Sequence, residues 1–571
     1  MKKRTAWVLV AGVAAVAVGA AAVGGLALLL RGQDGGGGLT GKDQYLAFDL
    51  RGEIPEPPSS DLTPFFGRRP PTLRTLVESL DRAAGDAKVK AVVLRVSFLP
   101  DAGWGKVQEL RDAIVRFRKS GKPAYAHLEF CGNREYYLAT ACDKIYAVPT
   151  GLLDVTGLSA ETTFLRGSLD KLGVEAQFEG VGKYKNAPNQ YTEKGFTEPH
   201  REQMEALLDS VYEQYVTALA KARGKSREQA EAILDQGPFD AKEALKAGLV
   251  DELVYRDQLQ ERLKSGEGVS PARYVKKARG LGLDGRPKLA LVFAVGEIVP
   301  GESQESPFGG SFAGSETVAH ALKSAREDDD YKAVLLRVDS PGGSGTASDV
   351  IWREVQLTRK QKPVVISMGD VAASGGYYIA MGGDAIVAQP GTITGSIGVF
   401  SGKFSLRGLY DKLGVSKEIL IRGRHAALFS EYRPWTQEER DRIRSLMESF
   451  YQDFVAKAAE GRKKPVAEID QMAQGRVWTG AEAFRLGLVD RLGGLEVAVS
   501  VAKERAKIGK DQDVQLVILP EKKGFLETLL ERQDEGLEAS LPADLRFALR
   551  WSSLLGDGKP LARLPFDLQI R

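Results

Sequence analysis

The chain repeats itself, and this constrains its fold more than any other feature. Lys90-Ala91-Val92-Val93-Leu94-Arg95-Val96 returns as Lys332-Ala333-Val334-Leu335-Leu336-Arg337-Val338. Lys122-Pro123 returns as Lys362-Pro363, and Tyr136-Tyr137-Leu138-Ala139 as Tyr377-Tyr378-Ile379-Ala380. Asp143 and Pro149 match Asp384 and Pro390, and Lys171-Leu172-Gly173-Val174 matches Lys412-Leu413-Gly414-Val415. Ala247-Gly248-Leu249-Val250-Asp251 recurs within Leu486-Gly487-Leu488-Val489-Asp490. Six anchors in one order, at offsets of 239–242 residues, are the mark of duplication. A chain of 571 residues also exceeds what a single core sustains.

Each half has the same grammar. Short β-branched runs (Ala91–Val96, Ala333–Val338, Pro363–Ser367) read as buried parallel strands. Helical patterns such as Val107–Arg118 and Ala347–Arg359 separate them, which predicts an α/β fold with parallel sheets, built twice. Later in each half a long amphipathic stretch, Glu198–Arg223 and Thr436–Gly461, predicts a helix at a domain or subunit boundary. Gly301–Gly314, rich in Gly, Ser and Phe, reads as a loop near the site entrance. The repeats are bounded at 58–285 and 286–510, and residues 511–571 form a tail without an assigned role.

The N-terminus reads as a membrane anchor. Ala6 to Leu30 carries no charge over 25 residues, which as a helix would run roughly 37 Å, enough to span a hydrocarbon core. Leu26–Leu30 continue the apolar run beyond Ala20-Ala21-Ala22, which is longer than the core of a cleavable signal. Lys2, Lys3 and Arg4 precede the span, so residues 1–31 are expected to be a cytoplasmic N-terminus and a single-pass anchor, with the body across the membrane. Residues 32–57, opening with Gly35-Gly36-Gly37-Gly38, read as a tether.

Composition excludes several classes. Lys and Arg (79) nearly balance Asp and Glu (76), so a nucleic-acid partner has no electrostatic support. Two cysteines, Cys131 and Cys142, cannot build a disulfide scaffold or a Cys-based zinc site; they read as two buried thiols, with pairing to each other in an oxidising compartment the alternative. Four scattered histidines without an HExxH pair argue against a histidine-dependent metalloenzyme.

The chemistry sits where the halves differ. The second half has Asp339-Ser340-Pro341-Gly342-Gly343-Ser344 after a strand, where the first has Ser97-Phe98-Leu99-Pro100-Asp101-Ala102 without a glycine pair. Adjacent glycines at a strand end let backbone N–H groups face a ligand or a developing oxyanion. Further on, Ala372-Ala373-Ser374-Gly375-Gly376-Tyr377-Tyr378 places a serine among small residues at a strand-to-helix turn; the first half has Cys131-Gly132-Asn133-Arg134-Glu135 there and no serine. Ser374 is the candidate nucleophile. A serine needs a base, and neither His320 nor His425 has an evident acidic partner. Asp370 alone cannot complete a triad. A lysine can serve if burial lowers its pKa from about 10.4 towards 7, but spacing does not choose which one.

These features resemble those of the long, two-repeat signal peptide peptidases of the S49 serine peptidase family: apolar N-terminal span, tandem repeats, the Ser340–Ser344 glycine motif, Ala372–Tyr378, and Thr394-Gly395-Ser396-Ile397-Gly398. The resemblance covers nearly the whole chain. It implies tandem Clp-protease/crotonase-like domains, a Ser–Lys dyad and a bowl-shaped homotetramer outside the cytoplasmic membrane. It also implies apolar peptide substrates, signal peptides among them, and no cofactor or metal. The lysine of such peptidases lies in a Gly-x-Tyr-Lys-[Ser/Asn]-Ala context, matched by Gly182-Lys183-Tyr184-Lys185-Asn186-Ala187. Lys185 is thereby the expected general base, with Lys183 its nearest rival. Adding the 241-residue offset to 185 reaches Ala426, so the second half lacks the lysine as the first lacks the serine. By the same resemblance Ser396 orients the lysine, and Gly343 and Gly375 are the oxyanion-hole candidates with Gly342 at the turn. Asn186 and Pro188 depart from the family's Ser-Ala-Val after the lysine, and Pro188 restricts Ala187, which bears on the reach of Lys185. The rival readings are an acyl-CoA enzyme on the crotonase-like fold and a membrane-tethered scaffold without activity.

Overall fold

A computed structural model of the protein describes residues 44–57, 70–100, 102–263, 268–278, 285–305, 310–520 and 561–563. In the first repeat Gln44–Leu50, Val89–Val96, Ala124–Cys131 and Lys144–Leu153 lie side by side, all parallel and in that order. Lys288–Val295, Tyr331–Ser340, Val364–Ala373 and Ala385–Ala388 repeat that arrangement in the second. The near-continuous apolar runs are explained by burial on both faces. Val334, Leu336 and Val338 enter the main core of their repeat, while Ala333 and Leu335 between them enter a smaller core on the opposite face.

The repeated anchors do the same work twice. Tyr136 Oη donates to the Leu249 carbonyl at 2.7 Å, and Tyr377 Oη to the Leu488 carbonyl at 3.0 Å. Asp143 accepts from the Ala124 N–H and Asp384 from the Val364 N–H, each at 2.9 Å. Arg223, ending the Glu198–Arg223 helix, holds the Gly248 carbonyl and Asp251; Arg462, ending the Gln437–Arg462 helix, holds the Gly487 carbonyl and Asp490.

Buried polar contacts join the repeats. Arg337 lies 2.7 Å from Glu56 and 2.9 Å from Glu109, both in the first repeat. Lys106 lies 2.9 Å from Asp339, and Asp370 accepts from the Gly103 and Lys106 N–H groups at 2.8 and 2.7 Å at the start of the Trp104–Arg118 helix. Asp370 is therefore engaged in holding the repeats together. The Glu198–Arg223 helix docks on the second repeat as its amphipathicity predicts: Gln203 accepts from the Val477 N–H at 2.7 Å, and Ser210 Oγ lies 2.8 Å from Thr479 Oγ1.

A third, mixed sheet has no counterpart in the sequence reading. Its order is Gln304–Glu305, Ser311–Gly314, Glu297–Val299, Gly342–Ser344, Leu561–Arg563, Val399–Ser405, Glu175–Val181. Glu175–Val181 of the first repeat pairs antiparallel with Val399–Ser405 of the second, from Val181↔Val399 to Glu175↔Ser405. The segment expected as a loop over Gly301–Gly314 thus contributes strands, because neighbouring backbone supplies the pairing its side chains do not advertise.

Two boundaries shift. Gln44–Leu50, placed in the tether by composition, is the edge strand of the first sheet, and the nearby Glu56 is buried by Arg337. Gln515–Leu519, placed in the tail, extends the second sheet by pairing with Lys288–Val295. The apolar span Ala6–Leu30 lies outside the described residues, and no helix among the described residues is long and apolar enough to cross a membrane. Cys131 and Cys142 are free, buried thiols.

Candidate active site

Ser374 follows the Val364–Ala373 strand and precedes the Gly375–Ala380 helix. The turn between them forces it to φ 55° and ψ −113°, a region that L-residues seldom occupy without being held there. Its N–H donates to the Gly395 carbonyl at 2.8 Å, and its carbonyl accepts from the Tyr378 N–H at 2.8 Å. The small neighbours have a structural reason: a Cβ on Gly376 would stand 2.7 Å from the Ser340 carbonyl oxygen. Ser396 follows the Ile393–Gly395 strand, which pairs with Val371–Ala373, and also has a positive φ, 53°.

Lys185 reaches this point from the other repeat. The Glu175–Val181 strand brings the chain to Gly182, whose φ of +108° and close contact with Gln474 exclude a side chain: a Cβ there would lie 2.4 Å from the Gln474 carbonyl carbon. The Tyr184 N–H donates to the Gln474 carbonyl at 2.8 Å, and the Lys185 N–H to the Gly182 carbonyl at 3.0 Å. Gly475, next in the chain after Gln474, packs against the same loop, and a Cβ on it would be 2.6 Å from Lys185 Cβ. Lys185 Nζ then lies 2.7 Å from Ser374 Oγ, 3.0 Å from Ser396 Oγ and 3.2 Å from the Ser396 carbonyl oxygen.

All three side chains are buried, Lys185 being 6% exposed and both serines 0%. Burial holds the lysine amine well below the usual lysine range, with no carboxylate acting to restore it. A neutral amine in contact with a serine hydroxyl can accept its proton, which is the first requirement of a Ser–Lys pair. Lys183 points elsewhere: it is exposed, with Nζ 4.6 Å from the Tyr184 ring centroid. Tyr184 is fixed in turn by Glu202 and Arg476. Pro188 does not withdraw the loop; its carbonyl accepts from the Tyr191 and Thr192 N–H groups as the chain enters the short Asn189–Thr192 helix.

The candidate oxyanion glycines border the serine, with φ +100° at Gly342 and +152° at Gly343. The Gly342 N–H already donates to Ser340 Oγ at 3.1 Å, which leaves Gly342 the turn. Gly343 stands between Ile298 and Ala562 in the third sheet, and Gly375 opens the helix after Ser374. A cavity of ≈ 490 Å³ adjoins the lysine, lined by Phe178, Gly180, Gly182, Lys185, Asn186 and Pro188 among others. Asn186 is buried with its side-chain N–H₂ unpaired.

At the equivalent points the other halves are built differently. Asn133, in the place of Ser374, is spent on the backbone: its amide donates to the Gly157 carbonyl at 2.7 Å and accepts from the Thr156 and Gly157 N–H groups. Ala426, in the place of Lys185, keeps the loop's hydrogen bond, from its N–H to the Gly423 carbonyl at 3.2 Å, without the amine. His425 is partly exposed beside Glu438 and takes no part.

Gln474, Gly475 and Arg476 are the site residues that sequence reasoning missed. Nothing in Ala473-Gln474-Gly475-Arg476 signals that its backbone shapes a lysine loop from the other repeat.

Comparison with known proteins shows the family of the chain. The sequence model of peptidase family S49 matches residues 116–270 and 356–509, and that of Clp protease matches 313–391. The chain is 39% identical over 490 residues to the chloroplastic serine protease SPPA of Arabidopsis thaliana, covering 84% of this chain and 71% of that protein. It is 32% identical over 510 residues to protease 4 of Salmonella typhi, covering 85% and 81%. Against protease 4 of Haemophilus influenzae it is 30% identical over 525 residues, covering 87% and 82%. With both repeats matched and relatives aligned along most of their lengths, the chain belongs to peptidase family S49.

Proposed function

We propose that this serine peptidase is a membrane-anchored endopeptidase with one Ser–Lys dyad per chain, in which neutral Lys185 takes the proton of Ser374 Oγ as the hydroxyl attacks a peptide carbonyl. The observation that carries the reading is the 2.7 Å contact between a buried lysine amine and a buried serine hydroxyl held at strained φ. Ser396 orients the amine through its hydroxyl and carbonyl. Backbone N–H groups of Gly343 and Gly375 stabilise the tetrahedral oxyanion. Lys185 then returns the proton to the leaving amine, and a water molecule, activated by the same amine, hydrolyses the acyl-enzyme.

Extended, apolar peptides such as spent signal peptides are the proposed substrates. The family membership supports peptides as substrates, and the cavity beside Lys185, where Phe178, Gly180 and Pro188 stand among polar residues such as Asn186, Asn189 and Thr192, gives room for one. The Ala6–Leu30 span supports a single-pass anchor with the body on the outer side of a bacterial cytoplasmic membrane.

A homotetramer is part of the reading, and the duplication supports it. The 241-residue offset carries Glu175–Val181 onto 416–422 and Val399–Ser405 onto 158–164. Within the chain the first repeat's strand pairs with the second repeat's. Residues 416–422, outside any helix or strand, are left exposed with Ile419, Leu420 and Ile421 at the surface. The same pairing made with residues 158–164 of the next copy covers these residues and closes a ring by repetition.

The test is hydrolysis of an apolar fluorogenic peptide by the detergent-solubilised full chain and by its Ser374→Ala and Lys185→Ala variants, with labelling by a serine-reactive probe. Loss of activity in both variants, with labelling that depends on Ser374, supports the dyad. A folded wild type that neither hydrolyses nor labels makes the protein a scaffold, and acyl-CoA turnover makes it an enzyme of the crotonase type.

A further inference from the structure

The third sheet contains a strand that belongs to neither repeat. Leu561–Arg563 lies between Gly342–Ser344 and Val399–Ser405 and is antiparallel to both. Its register is Gly342↔Arg563, Gly343↔Ala562 and Ser344↔Leu561 on one side, and Phe400↔Leu561 on the other.

Both flanking strands border the candidate dyad. Gly342–Ser344 carries the glycine pair beside Ser374. Val399 follows Ser396 closely in sequence and pairs with Val181, just before the Lys185 loop. The Gly375–Ala380 helix, which begins right after Ser374, is in contact with Leu561–Arg563. The strand thus runs past the serine, in the gap between two strand edges. An extended peptide binds such a gap by adding a strand, with backbone hydrogen bonds that do not depend on its sequence.

We propose that Leu561–Arg563 is a resident strand in the peptide-binding cleft, and that a substrate binds by replacing it. This rests on the peptidase reading of the site. The strand is short, with three pairs to one neighbour and one to the other, so its own hold is weak. Tethering compensates, because covalent attachment to the same chain makes the strand's binding intramolecular, which raises its effective concentration to about millimolar. An apolar peptide that pairs over a longer stretch and fills the cavity beside Lys185 displaces it, whereas a poorly matched one does not. The strand therefore acts as a competitive, built-in threshold for substrate entry.

Ala562→Pro in the full chain tests this, because it removes the N–H and fixes φ at the centre of the strand. If the cleft is open about one-tenth of the time in wild type, the variant lowers KM for a fluorogenic apolar peptide about tenfold with kcat unchanged. A labelled synthetic peptide of sequence 558–567, followed by fluorescence anisotropy, should also bind the Ser374→Ala/Ala562→Pro chain more tightly than the Ser374→Ala chain.

Equal KM values together with equal peptide binding would overturn the inference, and so would a raised KM, which would make the strand part of the working site. Intact-mass analysis gives a further check. Tail residues lost from the active chain but kept in Ser374→Ala would overturn it too, since a consumed tail cannot compete at steady state. If no chain hydrolyses the peptide while the anisotropy difference persists, the peptidase reading fails and the resident strand stands.

Discussion

Lys185 Nζ and Ser374 Oγ stand 2.7 Å apart although they come from different repeats. Duplication supplied two copies of each position, and the structure keeps one of each: Asn133 now braces a loop, and Ala426 caps a turn without an amine. The pairing of Glu175–Val181 with Val399–Ser405 makes a single site from the two halves, so the chemistry depends on the contact between repeats as much as on the residues.

Activity should rise with pH. In the proposed dyad Lys185 acts as a free amine, and burial lowers its pKa below the ordinary lysine value, so the ascending limb of kcat/KM should lie below about 10.4. Ser396→Ala removes the hydroxyl 3.0 Å from Nζ and should lower kcat by about 10- to 100-fold while leaving substrate affinity nearly unchanged. A pH–rate profile of wild type and variant checks both expectations.

The same burial makes the lysine a liability to stability. Its folded pKa is depressed, so between the folded and unfolded values the unfolded chain binds the extra proton, and stability rises with pH across that window. Lys185→Met should therefore abolish activity yet raise stability by about 1 kcal/mol near neutral pH. The gain should shrink as pH approaches about 10.4, where the unfolded lysine also loses its proton. Thermal melts of the two proteins from pH 6 to 10 test this; a gain independent of pH would be against it.

Gly475 offers a test of how tightly the base is aimed. Its φ is +75°, and an added Cβ would lie 2.6 Å from Lys185 Cβ and from its backbone nitrogen. Since the strain falls on the lysine loop, Gly475→Ala should shift the amine by a fraction of an ångström to an ångström and cost about a hundredfold in kcat. Circular dichroism should show the fold retained. A variant with wild-type kcat would show that the loop relaxes elsewhere.

How much of this was legible in the sequence depended on where each constraint came from. The parallel sheets were readable because their strands are long, apolar and repeated, and the anchors recur because Tyr136 and Tyr377, or Asp143 and Asp384, serve the same backbone groups. Ser374 stood out because its steric surroundings are local: small residues at a strand end. Lys185 did not, since its place is set by a strand pairing between repeats, and only a family resemblance singled it out. The third sheet was invisible because strands such as Ser311–Gly314 and Gly342–Ser344 show no alternation of apolar and polar residues. Gly475 matters through a backbone contact that no local pattern encodes.

Arg337 is one of the buried links between the repeats. Its guanidinium is 1% exposed and meets the carboxylates of Glu56 and Glu109, while its remaining N–H groups donate to Ser367 Oγ and the Met368 carbonyl. Arg337→Leu would strand two carboxylates in a site that cannot hydrate them, at a cost of about 3–5 kcal/mol. The triple change Arg337→Leu with Glu56→Gln and Glu109→Gln should recover part of that loss, because no unpaired charge then remains. Chemical denaturation of both variants measures it, and an Arg337→Leu protein as stable as wild type would mean that water reaches the cluster.

The exposed 416–422 segment carries the prediction about assembly. Leu420 is 92% exposed, with Ile419 and Ile421 beside it about two-fifths exposed, an arrangement that is costly in water for a lone chain. If these residues pair with 158–164 of the next copy, as Glu175–Val181 pairs with Val399–Ser405 within the chain, Leu420→Asp places a charge in that interface. Light scattering of the detergent-solubilised protein should then show tetramers for wild type and monomers for the variant. Lys185 and Ser374 meet within one chain, so on the proposed dyad the monomeric variant should still label at Ser374 with a serine-reactive probe. A tetramer that survives Leu420→Asp would locate the contact elsewhere, and a variant that loses labelling along with assembly would mean that neighbouring copies hold the two repeats in register.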